Sequence, residues 1–597
     1  MHKGKGIRIF ALACMAPLVP ALGSNGSAGL QWGECDDAGW RRCPFPDPRI
    51  DRRQFQCAQI DVPMDHFSES SDKKFTIPLI RKLGANASAT GDRHILYNPG
   101  GPGLSGMDAI RCGGTDMHIK YMLEDFHLLG FDPRGVGDSK PTALCQASDA
   151  PRVKDPRHEN WNLEFQAGEM YAAAENRAKA CRDAMGEHGE YINTPQTAAD
   201  MNSILEAIGQ QQMYFWGTNC KIFSVMHAPR WYQLTSTDGT VLGQTYAQMY
   251  PDRVARLVLD SVVDLEKWYN DFYFTEDTLL DLDRGFAGFV DECFQAGEAC
   301  TLHSVVKRQN FESASQLKAY IDDYLERLDE EPIPVYLDSA DYGLITRTDV
   351  VRSGIIPPVY YPKIWPQLGA KLAALLNGAN PAAYAAFTKA PKLERHRDDA
   401  FSFVLYNDAL HSGPEAPLQG MQSIRDYTLE RTETSYLFSR YWAFLIYQAA
   451  AWKIPTTHDF RPQYHDPSSS PDRAFKTAEP ILILSPTWDP GCPLVYAQRA
   501  QASFEGAALV EQTSYGQGTA SMDSRCTMAH VRRYFTEGVL PEPGTVCSID
   551  VDYFPTPKNE SFIAAMPVIK DAGLLEDLEP LESKGGIVRD GPGSDNE

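Results

Sequence analysis

The chain reads as an α/β fold, with a mostly parallel central sheet and a large helical insertion. Two observations predict it. Short apolar runs of strand character recur along the chain with helical stretches between them, the alternation that builds a parallel sheet covered on both faces. Between the fourth and fifth of these runs lie about two hundred residues of helical character, far too many for a simple connection. At 597 residues, 43% hydrophobic and 23% charged, the chain is long and apolar enough to bury a core around such a sheet.

The elements follow in order. His94 to Asn98 (HILYN) is an apolar strand running into the glycine-rich loop PGGPGLSG, Pro99 to Gly106. Phe126 to Ser139 (FHLLGFDPRGVGDS) repeats the strand-then-glycine pattern. Thr197 to Gly209 is helical and leads into a third strand, Met213 to Gly217. Arg253 to Asp264 holds a fourth strand, Pro480 to Pro493 a fifth and Ala508 to Ser514 a sixth. The sheet domain therefore occupies residues 29–264 and 480–555. Residues 265–479, with stretches such as TLLDLDRGFAGFVDECFQAG and TSYLFSRYWAFLIYQAAAWKI, read as a helical cap with a core of its own.

Both ends of the chain carry signals of another kind. Lys3, Lys5 and Arg8 precede the apolar run Ile9 to Leu22 and the small residues Gly23 to Ala28, the order of a secretory signal peptide over residues 1–28. That run is too short to span a bilayer comfortably, so no membrane attachment is expected after cleavage. Residues 556–597 are acidic and rich in glycine and proline, a composition expected to stay disordered.

Charge and cysteine content narrow the function. A formal net charge of −23 and a sequence pI near 5.1 oppose binding to nucleic acid or anionic membrane, both of which require basic patches. Of the 13 cysteines, Cys14 lies in the signal and Cys220 in an interruption described below; the rest form no paired CxxC of zinc type and read as disulfides. Cys35 with Cys43 or Cys57, Cys293 with Cys300, and Cys526 with Cys547 are expected pairs, with one cysteine left over. Asn86 (N-A-S) and Asn559 (N-E-S) are glycosylation sequons in a chain expected to be secreted. No cofactor or metal motif is present, and GPGLSG at Gly101 lacks the βαβ setting of a nucleotide fingerprint.

The segments FQCAQIDVPMDHF, NPGGPGLSG, GFDPRGVGDS, TVLGQTYAQMYPDRVARLVLDSVVD and LPEPGTVC, spread from about Trp32 to Cys547, resemble the secreted tripeptidyl aminopeptidases of the prolyl aminopeptidase family. The resemblance implies an α/β-hydrolase fold with a cap and the C-terminal domain of the tripeptidyl branch. It also implies a serine at the tip of a G-x-S-x-G elbow, a histidine to take its proton, and an acid to orient the histidine. Asp489 in SPTWDPGCP falls at the acid position, although an aspartate before proline is common in any turn. Gly100, Gly101 and Gly103 fall on the oxyanion loop, where glycine lets a backbone amide turn toward a substrate oxygen; a simple tight turn would use the same residues. The histidine position in SYGQGTASMDSRC is Gln517, whose amide has no usable basicity near neutral pH. His530, on the next helical stretch, is out of place to substitute for it without rearrangement.

The elbow itself is interrupted. Gly217-Thr218-Asn219 and Gly239-Thr240-Val241-Leu242-Gly243 read as its two halves, with Cys220 to Asp238 between them. A loop there would detach the nucleophile from the helix that completes its oxyanion hole. The interruption has the grammar of a retained intron. Cys220-Lys221 can encode the donor GTAAG, Leu234-Thr235 a branch sequence CTAAC, and Thr237-Asp238 an acceptor ACAG. Excision would remove codons 221–237 with parts of codons 220 and 238, keep the frame, and join the halves through a tyrosine codon. Even so, Asn219 stands where the resemblance calls for serine, and an amide is no nucleophile.

The expectations for function are therefore three: a secreted peptidase-like hydrolase acting on peptides or on amide and ester bonds, an inactive relative that binds a peptide or small hydrophobic ligand under its cap, or a non-hydrolytic biosynthetic role of the same pocket. Oligomeric state is not encoded in these features. Sequencing the transcript across codons 210–250 is expected to find the interrupting nucleotides absent; a mature transcript that keeps them would sink the intron reading.

Overall fold

The computed structural model describes residues 30–43, 49–68, 72–90, 93–146, 166–218, 239–270, 276–388, 395–409, 421–435, 439–462 and 474–555. The signal segment, Asn219 with the whole interruption Cys220 to Asp238, the Asn559 sequon and the acidic tail lie outside the described residues.

Eleven strands are present among them: β1 (Phe55–Pro63), β2 (Lys74–Lys82), β3 (His94–Asn98), β4 (His127–Phe131), β5 (Met213–Thr218), β6 (Val254–Asp260), β7 (Ile333–Asp338), β8 (Asp341–Ile345), β9 (Leu482–Trp488), β10 (Ala508–Tyr515) and β11 (Thr545–Ser548). Nine form one sheet in the order β1-β2-β4-β3-β5-β6-β9-β10-β11. The pairs from β4 to β11 are parallel, while β1–β2 and β2–β4 are antiparallel. This is the strand order of an α/β-hydrolase, and the six strands expected from the sequence are its interior.

Side-chain alternation divides the sheet between two cores. Ile95, Tyr97, Tyr214, Trp216, Val258, Leu482 and Leu484 face one side, under the helices Gly106–Tyr121 and Arg525–Glu537. Leu96, Phe215, Leu257, Leu259 and Ile483 face the other, under Thr194–Ala207, Gly239–Met249 and Leu494–Ser503. Strands buried on both faces need uninterrupted apolar sequence, which is why β3 to β6 and β9 were legible.

Between β6 and β9 the chain is mostly helical, but it also contains the β7–β8 hairpin, which the sequence reading did not expect. Nor is the cap's interior separate. Leu265, Trp268, Leu282, Phe286 and Trp365 belong to the same apolar cluster as Phe215 and Ile483. A buried carboxylate fixes the joint: Asp408 accepts from Thr194 N (2.7 Å), Thr194 Oγ1 (2.6 Å) and Trp268 Nε1 (2.7 Å). It thereby satisfies the N–H of the first residue of Thr194–Ala207, beside the N-cap Asn193.

Five disulfides are described: Cys35–Cys57, Cys43–Cys112, Cys145–Cys181, Cys293–Cys300 and Cys526–Cys547. Cys35 therefore takes the second of its two expected partners, since Cys43 is held by a residue on a helix far along the chain. The leftover thiol is Cys492, buried directly after the Asp489 turn. No helix among the described residues is long and apolar enough to cross a membrane.

The buried carboxyls set a pH dependence. Burial pushes Asp132, Asp281 and Asp283 up to about 6, and Asp408 and Asp489 up to about 7. Each holds a proton in the folded chain that the unfolded chain has already released, so its contribution is intact below the ordinary carboxylate range and is lost as pH rises through 6 to 7. Asp200, where burial is outweighed by Arg134 and His66, and Asp523, where it is outweighed by Lys363 and Lys120, act in the opposite sense but only at lower pH. The thermal midpoint should fall by about several degrees between pH 5 and pH 8. Asp408→Asn should flatten that fall; an unchanged slope by calorimetry would remove Asp408 from the account.

Candidate active site

In parallel sheets of this kind ligands meet the C-terminal ends of the strands, and Gly100, Gly101, Gly103, Asp489 and Gln517 follow such ends, those of β3, β9 and β10. The acid turn follows β9. Asp489 is fully buried, and its carboxylate accepts four hydrogen bonds. Oδ1 takes Gly491 N (2.9 Å) and Cys492 N (2.8 Å); Oδ2 takes Ser261 Oγ (2.5 Å) and Gly518 N (2.9 Å). Asp489 is thus both a turn aspartate, through Oδ1, and an acid aimed across the sheet toward the loop after β10, through Oδ2. Burial raises its pKa to about 7 against the pull of these four donors.

Gln517, expected at the histidine position, lies in the loop after β10 that contacts Asp489 through Gly518. Gly516 and Gly518 on either side have φ of 105° and 70°, values that glycine adopts without strain. Gln517 is 6% exposed, and its backbone N–H donates to the Tyr360 carbonyl of the cap (2.9 Å). Its side chain rests against Gly491, so closely that a Cβ there would overlap the amide nitrogen. The donor reaching Asp489 from this loop is the neighbouring backbone of Gly518, not the side chain of Gln517. His530 does not repair the deficit. It sits half-buried on helix Arg525–Glu537, within 4.8 Å of the sulfur atoms of Cys526 and Cys547. That trio is the only His/Cys/acid cluster of metal-binding geometry among the described residues, and the disulfide engages two of its members.

Ser261, which the sequence reading missed, completes the acid's shell. It follows β6 with φ of 69° and no exposure. A left-handed conformation costs an L-residue about 1–2 kcal/mol, and here it aims the hydroxyl at Asp489. The residue before it, Asp260, accepts Thr519 N (2.8 Å) and Thr519 Oγ1 (2.9 Å). The ends of β6, β9 and β10 are therefore sewn together by the last residue of β6 and the one that follows it. No sequence motif flags Ser261; the only signal would have been the need for positive φ.

The elbow's flanks are in place although Asn219 is not described. A Cβ on Gly217 would overlap the carbonyl of Gly239, and one on Gly239 would overlap that of Thr218. Chain ends this close can be bridged by two residues, since three Cα steps of about 3.8 Å exceed the gap. Helix Gly239–Met249 starts at that point and is pinned through Thr240 Oγ1, which accepts from Val263 N (3.2 Å), and through Gln244 Nε2, which donates to Val263 O (3.0 Å).

The oxyanion loop has the conformation its glycines permit. Gly100, Gly101 and Gly103 have φ of 84°, 131° and 91°. The loop is anchored behind by Asp132, which accepts from Ser105 Oγ (2.5 Å) and Met107 N (3.1 Å). Asn86 lies apart, exposed in the turn after β2.

Comparison with known proteins adds the sequence relationship. Residues 435–547, a stretch that includes Asp489 and Gln517, match the TAP-like protein family. The chain is 28% identical over 267 residues to the tripeptidyl aminopeptidase of Streptomyces lividans, covering 44% of this chain and 42% of that enzyme. The match thus spans less than half the length of that relative. The serine protease Hip1 of Mycobacterium tuberculosis is 24% identical over 531 residues, 85% of this chain and 90% of that protein. Carboxylesterase B of Mycobacterium tuberculosis is 24% identical over 563 residues, 91% and 96%. Among solved structures, MGS-M2, an α/β hydrolase from a deep-sea metagenome, covers 80% of the chain at 12% identity with a TM-score of 0.30. The fold assignment rests on the strand order.

Replacing Ser261 should separate its two roles. Ser261→Ala removes a donor from a buried carboxylate and keeps the strained backbone, for an expected loss of about 1–3 kcal/mol. Ser261→Gly loses the same bond but relieves the strain, and should cost less. Equal losses in chemical denaturation would contradict the strain argument.

Proposed function

We propose that this chain, a tripeptidyl aminopeptidase-like α/β-hydrolase by strand order and sequence relationship, does not hydrolyse through a Ser–His–Asp triad and instead binds a peptide or small hydrophobic ligand under its cap. One observation carries the reading. The acid that should orient a histidine is occupied by the chain's own donors, Ser261 and the amides of Gly491, Cys492 and Gly518. Beside it stands Gln517, which can neither take a proton from a nucleophile nor pass one to a leaving group. Asn219 at the elbow adds the loss of the nucleophile. In subtilisin, removal of the serine or histidine costs about a million-fold in turnover, non-additively.

A hydrolytic reading keeps some support. The glycine conformations of the oxyanion loop are intact, and such a loop together with binding can retain roughly a thousand-fold acceleration over water. The non-hydrolytic reading would need Asp489 as a base, which its complete burial and four engaged contacts oppose. The five disulfides and the leader-like residues 1–28 support export, and Asn86 is exposed as a glycan acceptor must be.

The test is to express the exported chain and assay it against aminoacyl and tripeptidyl fluorogenic substrates beside an Asp489→Ala control. No turnover above that control is expected. Robust hydrolysis that disappears with Asp489 would overturn the reading and require a different nucleophile.

A further inference from the structure

Two side-chain amides at the C-terminal edge of the sheet are buried with an unsatisfied nitrogen: Asn98 Nδ2, at the end of β3, and Gln517 Nε2, after β10. Asn98 is 1% exposed and Gln517 6%. The orientation of Asn98 is fixed, because its Oδ1 accepts the Gly100 N–H at 2.8 Å and the atom without a partner must then be the amino group. Asn98 pairs in register with Gly217 of β5, and its carbonyl lies 2.8 Å from where a Cβ on Gly239 would stand. It is therefore beside the elbow, on the oxyanion-loop side. Gln517 belongs to the opposite flank, between Gly491 of the acid turn and Tyr360 of the cap.

A buried donor without a partner is a free-energy cost to the empty protein; of the three side-chain amides in that state among the described residues, Asn98, Gln448 and Gln517, the first and last stand at strand ends of the sheet. Two on the functional edge of one sheet mark a place where acceptors arrive with a ligand. We propose that Asn98 and Gln517 are the polar contacts of a ligand site for a carboxylate, that of a short peptide acid or a small organic acid. This deepens the binding reading above and rests on it.

The choice of a carboxylate follows from what surrounds the two amides. A carboxylate only accepts, and it offers about four lone-pair sites to N–H donors. Hydrogen bonds to an ionised acceptor are roughly twice as strong as neutral ones. An amide ligand would bring its own N–H, and the obvious acceptor nearby, Asp489, already has four donors. Helix Gly239–Met249 begins at the same edge and adds the positive end of its dipole.

Calorimetric titration of the full-length, disulfide-bonded protein with alanyl-alanyl-phenylalanine, as the free acid and as the C-terminal amide, decides the matter. The acid should bind at least about tenfold more tightly than the amide. Asn98→Asp keeps the acceptor for Gly100 N–H and exchanges the donor for an oxygen, so it should weaken acid binding by at least about tenfold while leaving amide binding little changed. Gln517→Leu, judged folded by its thermal midpoint, should weaken acid binding as well and serves if the first variant fails to fold. Equal binding of acid and amide, binding of neither, or wild-type acid affinity in a folded variant would overturn the proposal. Turnover measured on the same preparations tests the loss of hydrolysis separately, because an active protein could still prefer the acid.

Discussion

The Asp489 carboxylate is the constraint around which this end of the molecule is arranged. It is fully buried and raised toward neutrality, a costly placement for an ionisable group unless it is densely hydrogen-bonded. Its four donors come from three separate pieces of chain: the turn after β9, Ser261 after β6 and Gly518 after β10. One side chain thereby fixes three strand ends that are neighbours in space and far apart in sequence. Asp260 repeats the tie one residue earlier through Thr519.

On the reading proposed above, that double duty would account for which positions differ from the expected triad. A nucleophile and a base would face the ligand, and replacing them would leave the sheet's connections untouched. The acid faces inward. Removing it would leave three backbone N–H groups and a hydroxyl unsatisfied in a dry interior, a larger loss than any one hydrogen bond. The presence of Asp489 is therefore explained by these structural ties alone and does not by itself testify to activity.

The sequence was informative where one physical signal dominated. Strands β3 to β6 and β9 are apolar runs because the sheet's interior is buried on both faces. The antiparallel edge pair went unread because β1 alternates between buried and exposed positions and carries no such run. β11 is four residues long, and the β7–β8 hairpin exposes Tyr336, Tyr342 and Leu344, so neither gives a pattern that burial would impose. Asp489, Gln517 and the glycine loop were singled out by the motifs around them, and the structure gives their conformations and contacts without testing their roles. Ser261 and Asn98 were not, because their roles depend on a backbone angle and on an unpaired atom, neither of which is written in residue type. The Cys43–Cys112 pairing was equally hidden, since only the fold brings those segments together.

The interruption at the elbow tests the same distinction between fold and site. Gly217 and Gly239 approach so closely that neither tolerates a Cβ, which is the contact a two-residue tip requires. A longer excursion between them is thermodynamically mild, because loop-closure cost grows only as the logarithm of length, about 0.6 kcal/mol per doubling. The sheet and the helix Gly239–Met249 can therefore form with or without the extra residues. Chemistry is less forgiving, since a nucleophile must stand within about 3–3.5 Å of its target and beside the helix end that stabilises the developing charge. Tolerance of the fold to such a segment and intolerance of hydrolysis to it are compatible, and together they shift the weight of the site from the elbow to the amides and glycines around it.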